Sequence, residues 1–330
     1  MTTPLRTDLP VSVRIDAPAR LHFGVLDLRG HRGRRFGGIG AAVPTPCVQL
    51  EATRSDDSSA EGPDAGRALT FARRFLEHHS IRGGAHLHVT RAIPAHAGLG
   101  SGTQLGLSVA RALAELYGIS AEPTSLARAV DRGRRSAIGT WTFALGGFVL
   151  EGGRRPGSNA VAPLITRLPI PSAWRCVIVV PAGSPGLSGE AEAAAFERLP
   201  EPSEHEVERV AHLVLMQLLP ALVDADLPAF GSALTEIQRV TGSWFSSAQG
   251  GAFASTATQE LVEQLSEAGA AGVGQSSWGP TVYGLAADEV AATRLIDGIR
   301  AEVEPGAMIF TTPFAERGAL VQGAWLPGLS

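Results

Sequence analysis

The chain has 330 residues, with 28 basic and 32 acidic side chains for a formal net charge of −4, and is 44% hydrophobic and 18% charged. That length supports one large or two ordinary domains with an ample core and excludes a disordered chain, while the slight acidity removes the bulk attraction that nucleic-acid binding needs. Every basic residue is arginine, which excludes a lysine Schiff base, a Walker-type lysine and any other catalytic lysine.

In chain order, a short polar leader precedes "VSVRIDAPARLHFG", which alternates as a strand does, and "FGGIGAAV" reads as a glycine-rich turn leading to a strand around "VQLEAT". "SDDSSAEGPDAG" is a surface loop, "RALTFARRFLEHH" has helical apolar spacing, and "AHLHVTRAIP" alternates again. From Ser101 onward Leu105, Val109, Ala112, Leu113 and Leu116 share one helical face, with Gly118 where the helix would stop. "PTSLARAVDRG" reads as a shorter helix and "GIGTWTFALGGFVLEGG" as glycine-broken strands of a hairpin or sheet edge. "EGGRRPGSNA" marks a domain seam, dividing the chain into 1–160 and 161–330.

The second half opens with a buried strand, "RCVIVVPAG", and a loop, "SPGLSGEAEAAAF", before helices over residues 204–223, 227–240 and 255–268. "GAAGVGQSSWGPTVYGLA" is a glycine-rich loop meeting a strand, "DEVAATRLIDGIRAEV" a helix and "AMIFTTPF" a closing strand. Without strict βαβ alternation the pattern predicts an α+β fold with mostly antiparallel sheets packed by helices. Cys47 and Cys176 read as buried thiols of a reducing compartment. With no signal-peptide core and no apolar run approaching about 18 residues, a cytoplasmic protein without a membrane span is expected.

The stretch "PAHAGLGSGTQLGLSVA" carries the first candidate site. Gly98, Gly100 and Gly102 let a ligand approach the backbone, and Ser101 and Thr103 add hydroxyls beside the free N–H groups of a helix start. Such a loop can hold phosphate without lysine; the same residues also make a plain tight turn.

This stretch resembles the phosphate loop of the GHMP superfamily of kinases, whose usual form is Gly-Leu-Gly-Ser-Ser. Here Gly102 and Thr103-Gln104 depart from it, as in a subgroup that looks like β-ribofuranosylaminobenzene 5′-phosphate synthase. "ARLHFGVLDLRG" with "RRFGGIGAAV", "RGRRSAIGTWTFALGGFVLEGG" and "GVGQSSWGPTVYGL" are similar to that subgroup's other motifs, so the resemblance spans roughly residues 17–320. It implies a two-domain GHMP-kinase-like fold with a phosphate loop at 94–104 and a glycine-rich loop at 272–280. It also implies a homodimer and a reaction without ATP. Phosphoribosyl pyrophosphate, with Mg²⁺, would join an aromatic carboxylate and release carbon dioxide and pyrophosphate. The acceptor would be 4-aminobenzoate or 4-hydroxybenzoate, as in methanopterin-type pathways, or a pyrazole dicarboxylate, as in C-nucleoside antibiotics of the formycin type.

On that resemblance Arg20, His22, Arg135 and Gln275 are the expected catalytic set. His96, Gly98, Leu99, Gly100, Ser101, Gly102, Thr103, Gln104, Arg34, Arg35, Ser136, Gly139 and Thr140 are expected to bind the phosphates, and Ser188, Ser276, Ser277 and Trp278 the aromatic substrate. From the residues alone, Arg34 and Arg35 read equally as an anion-binding corner or as solvated loop arginines, and His96 as a pyrophosphate donor or a packing residue. No zinc-type ligand spacing and no Gly-x-Ser-x-Gly elbow is present, and metal ligands stay unassigned. An ATP-dependent small-molecule kinase and a non-catalytic metabolite-binding protein remain the competing readings.

Overall fold

A long hairpin starts the first sheet: β1 (Ser12–Asp27) pairs antiparallel with β2 (Phe36–Ser55), with a bulge between His22 and Gly24. The computed structural model describes residues 9–183, 186, 189–321 and 324–325. After β3 (Ser59–Glu61) and α1 (Ala65–His78), β4 (Gly84–Arg91) pairs with the outer half of β2 and takes β3 in parallel at its far edge. The helices α2 (Ser101–Leu116), α3 (Pro123–Ala129) and α4 (Ile138–Leu145) follow, and α2 packs against β1 and β2. Its apolar spacing explains the docking, since Leu105, Val109, Ala112, Leu113 and Leu116 are all buried.

Next, β5 (Phe148–Glu151) pairs with the inner half of β2 and with β6 (Leu164–Leu168). A second sheet is centred on β7 (Arg175–Val180). The chain then forms α5 (Gly189–Arg198), a rod of α6 (Glu204–Leu213), a π turn at Val214–Leu218 and α7 (Leu219–Val223), and the long α8 (Leu227–Gln249). Ser203 and Glu206 cap α6 reciprocally, and Asp226 caps α8 by accepting from the Ala229 N–H. After α9 (Thr256–Glu267), β8 (Val273–Gln275) and β9 (Val282–Ala286) form an antiparallel pair. Then come α10 (Glu289–Ile299) and β10 (Met308–Thr312), which gives the second sheet the order β10-β7-β9-β8. Finally β11 (Leu320–Val321) pairs with β1 and β12 (Ala324–Trp325) with β11, so β6, β11 and β12 return to the first sheet from beyond the expected seam at residue 160.

This is the expected α+β architecture, with mixed elements and mainly antiparallel pairing. Alternation along β7 splits the interior: Cys176, Ile178 and Val180 join a core continuous with the first sheet, while Val177 and Val179 face a smaller cluster with Leu261, Leu265 and Ile299. Both cysteines are free thiols, Cys176 buried and Cys47 half-buried. Among the described residues no helix is long and apolar enough to cross a membrane.

Four local expectations are corrected. "FGGIGAAV" is strand, because β2 runs through it unbroken. A Cβ on Gly40 would overlap the Leu21 carbonyl oxygen and come within 2.5 Å of Ile138 Cγ2, so this glycine admits a close approach of α4 to the sheet. "IGTWTFAL" is the helix α4, its Thr142 hydroxyl donating back to the Ile138 carbonyl at 2.8 Å. "GEAEAAAFER" is helix, not loop, and α8 continues to Gln249 through the expected break at "TGSWFSS".

Candidate active site

A cavity of about 720 Å³ opens between β1, the first turn of α2, α5 and α8. Its floor is Arg20 and His22, which share the face of β1 opposite the core residues Leu21 and Phe23. The Arg20 guanidinium lies across the 94–104 loop and donates to the Gly98 carbonyl at 2.5 Å, while the Arg20 backbone N–H donates to the Leu99 carbonyl at 3.1 Å. Burial lowers the Arg20 pKa to about 10, opposed by the nearby Glu192 charge, so it stays cationic at neutral pH. Burial, reinforced by Arg20, pushes His22 down to about 3, so the imidazole is neutral and offers one donor and one acceptor nitrogen. Gly38 borders that ring: a Cβ there would stand in ordinary contact with His22 Nε2, at 3.4 Å.

The loop after β8 braces this floor. Ser276 Oγ donates to the Gly98 carbonyl at 2.7 Å and accepts from the His22 backbone N–H at 3.0 Å. Gln275 is tied in all directions: its carbonyl accepts from Ala254 N–H at 2.7 Å, and its amide donates to Gln249 Oε1 at 3.1 Å and to the Ser277 carbonyl at 2.9 Å.

One end of the cavity is crowded with guanidinium groups. Arg74, Arg132 and Arg134 line it, Arg135 stands between them and the rings, 5.3 Å from the Phe196 centroid, and Arg67 lies against the first turn of α2. A Cβ on Gly102 would lie 2.7 Å from Arg67 Nη2 and 3.1 Å from Arg132 Nη2, so the bare backbone there meets two guanidiniums. Arg67 pairs with Asp64 at 3.0 Å, and Asp131 is shared by Arg74, at 4.0 Å, and Arg134. Arg132 rests over the Phe71 ring at 4.9 Å, and burial, then Arg67 and Arg74, lower its pKa.

The other end is aromatic. Trp278 meets Phe196 and Phe245 edge to face, with centroids 5.1 and 4.8 Å away, and Phe36 meets Phe196 the same way at 5.7 Å. Glu192 joins the two ends, accepting from Arg135 Nη2 at 2.6 Å and from the Trp278 indole N–H at 3.1 Å. The buried Glu151 accepts from the N–H groups of Gly153, at 2.7 Å, and Ala137, at 3.3 Å, and so pins the start of α4. Burial raises the Glu151 pKa to about 7 against those hydrogen bonds.

Comparison with known proteins fits this geometry. The family model described as GHMP kinases N terminal domain matches residues 67–147, and that described as GHMP kinases C terminal matches 218–304. The β-ribofuranosylphenol 5′-phosphate synthase of Methanothermobacter thermautotrophicus is 33% identical, over 94% of this chain and 99% of that protein. The protein of the same name from Archaeoglobus fulgidus is 36% identical, over 83% and 87% of the two chains. The chain belongs to the β-ribofuranosylphenol 5′-phosphate synthase family.

The fold of this synthase family is that of the GHMP kinases. A homoserine kinase from Cytophaga hutchinsonii superposes with a TM-score of 0.69 at 19% identity, covering 97% of this chain and 100% of that one. The L. major mevalonate kinase crystallised with R-mevalonate gives 0.69 at 15%, covering 96% and 99%.

Of the residues expected to serve the synthase site, Arg20, His22, Thr103, Arg135, Ser136, Gln275, Ser277 and Trp278 line the cavity. Gly98, Leu99, Gly100 and Ser276 lie directly beneath Arg20, and Ser101 and Gly102 form the first turn of α2. Gln104, Gly139 and Thr140 are interior: Gln104 Nε2 donates to the Gly139 carbonyl at 3.0 Å and ties α2 to α4. Arg34 and Arg35 stand apart, donating to the Gly153 and Leu28 carbonyls. His96 is exposed, its carbonyl accepting from Gly186 N–H at 2.8 Å, and Ser188 lies outside the described residues. Sequence reasoning missed Arg67, Arg74, Glu192, Phe36, Phe196 and Phe245. Glu192 and Phe196 lie in "SPGLSGEAEAAAF", where a loop was expected, and Phe245 lies in "TGSWFSS", where a helix break was expected. Among the described residues no three His, Cys, Asp or Glu side chains stand together, and the cavity's carboxylates Asp131 and Glu192 are held by arginine. That donor set does not fit a cation held by protein groups alone.

Proposed function

We propose that the chain is a decarboxylating C-ribosyltransferase, joining phosphoribosyl pyrophosphate to an aromatic carboxylate with release of carbon dioxide and pyrophosphate. The observation that carries this reading is the meeting of a guanidinium-rich end and a four-ring aromatic wall in one cavity. The relatives' names, which specify a β-ribofuranosyl phenol phosphate product, support it. The donor would enter as its Mg²⁺ complex, the ion riding on pyrophosphate oxygens. Arginines would bind the two anionic groups as bidentate partners, and the fixed charge would stabilise pyrophosphate as it departs. The aromatic wall would orient the ring and keep water from the oxocarbenium-like sugar. Neutral His22 on the cavity floor would donate one hydrogen bond without adding charge beside the developing cation.

The phenol in the relatives' names favours 4-hydroxybenzoate as acceptor, with 4-aminobenzoate and heteroaromatic carboxylates as the other members of the class. The test is incubation with phosphoribosyl pyrophosphate, Mg²⁺ and a panel of these acids, following carbon dioxide, pyrophosphate and C-riboside together. Stoichiometric release of all three supports the reading. ADP from ATP with no C-riboside on any acceptor would transfer the assignment to a kinase, and binding without turnover to a metabolite-binding protein.

A further inference from the structure

The two ends of the cavity are built by elements that pack on different parts of the fold. Arg67 and Arg74 come from α1, which packs on α2, α3, β3 and β4, whereas Phe245 comes from α8, which packs on β1, β8, α6 and α7. Among the described residues β1 packs on both α2 and α8, and it carries Arg20 and His22 between the two ends.

Charge is as unevenly distributed as the rings. At the α1 end four guanidiniums, of Arg67, Arg74, Arg132 and Arg134, face two carboxylates, of Asp64 and Asp131. Arg132 has no carboxylate within ion-pair distance among the described residues, and its buried Nε has no hydrogen-bond partner. A desolvated guanidinium between two others is unfavourable unless an anion completes it. Between the two ends Arg135 is neutralised by Glu192.

We infer that the Arg67–Arg74–Arg132 corner takes the pyrophosphate of the sugar donor and the Phe36–Phe196–Phe245–Trp278 wall takes the acceptor, on opposite sides of the anomeric carbon. This rests on the ribosyltransferase reading and gives the cavity a direction that the reading alone lacks. Negative charge grows on pyrophosphate as the C1–O bond breaks, whereas that of the 5′-phosphate monoester does not change, so the leaving group belongs where positive charge is least compensated. Attack from the side opposite the leaving group follows. The ring carbon bearing the carboxylate bonds to C1, the C1–O bond breaks, and its electron pair leaves on pyrophosphate. The carbon–carboxylate bond then returns its pair to the ring as carbon dioxide departs, with no net proton uptake.

Calorimetric titration with inorganic pyrophosphate and, separately, with ribose 5-phosphate tests the direction. Arg132→Gln and Arg67→Gln are expected to weaken pyrophosphate at least roughly tenfold, the loss of one charge-assisted contact, and to leave ribose 5-phosphate affinity nearly unchanged. That unchanged affinity also shows the variants to be folded. If either unfolds, Arg74→Gln, whose side chain is half-exposed, carries the same comparison. Phe196→Leu is expected to raise the acceptor KM and to alter neither titration. Loss of ribose 5-phosphate with pyrophosphate retained, or equal loss of both, overturns the inference while the ribosyltransferase reading stands. A wild-type protein that binds neither compound but binds ATP would overturn the reading itself, and the inference with it.

Discussion

Arg20 and His22 lose water for the same wall, yet end in opposite charge states, because a guanidinium begins far above neutrality and an imidazole begins near it. The folded His22 pKa lies below its ordinary value, so its contribution to stability is present above about pH 6.5 and is lost as pH falls toward about 3. His22→Gln is therefore expected to lose less stability than wild type across that window, read by urea denaturation at its two ends. Equal losses would mean that the imidazole is charged in the fold. Arg20→Lys should keep the charge but lose the fork that spans the Gly98 carbonyl and the cavity, lowering kcat/KM by about 2 kcal/mol of charge-assisted bonding, some thirtyfold. At this scale Arg20, His22 and Trp278 were legible through the motifs that resemble a known family, and they line the cavity. Arg67 and Arg74 were not readable, because outward arginines on an amphipathic helix look alike until the neighbouring α2 turn shows which of them it faces.

Among the elements, β2 shows why glycine was the commonest source of misreading. Local rules assign a glycine cluster to a turn, but Gly40 is required by the distant Leu21 and Ile138. Gly40→Ala is expected to destabilise the protein by about 1–3 kcal/mol through overpacking, measured by urea denaturation. Gly66, in the first turn of α1, has nothing within 4 Å of where its Cβ would be, so Gly66→Ala should stabilise by about 0.5–1 kcal/mol. Similar effects of the two substitutions would contradict the close approach of α4. By contrast α2, α9 and α10 were legible because their apolar periodicity and caps are local, whereas α4 and α5 are short helices held by tertiary contacts. Trp141 illustrates the latter, its indole donating to the Ala162 carbonyl at 2.9 Å.

Across the whole molecule one core joins the first sheet to the inner face of the second, with Phe23 against Phe148 and Tyr283 at centroid distances of 6.4 and 5.1 Å. Continuity of that kind predicts one cooperative unfolding transition, with far-UV circular dichroism and tryptophan fluorescence coinciding along a denaturant titration. Two separated transitions would show instead that the chain melts as independent halves. The fold class was legible because it depends on the mixture and order of elements. The return of β11 to β1 was not, since a two-residue strand leaves almost no pattern in sequence. That return has a consequence during synthesis. Ribosomes deliver β1 long before its partner at Leu320–Val321, so a nascent chain carries an unpaired strand edge at Ile15 and Asp16 while all the elements between them are made. That edge is thus closed only after every strand of the second sheet has been made.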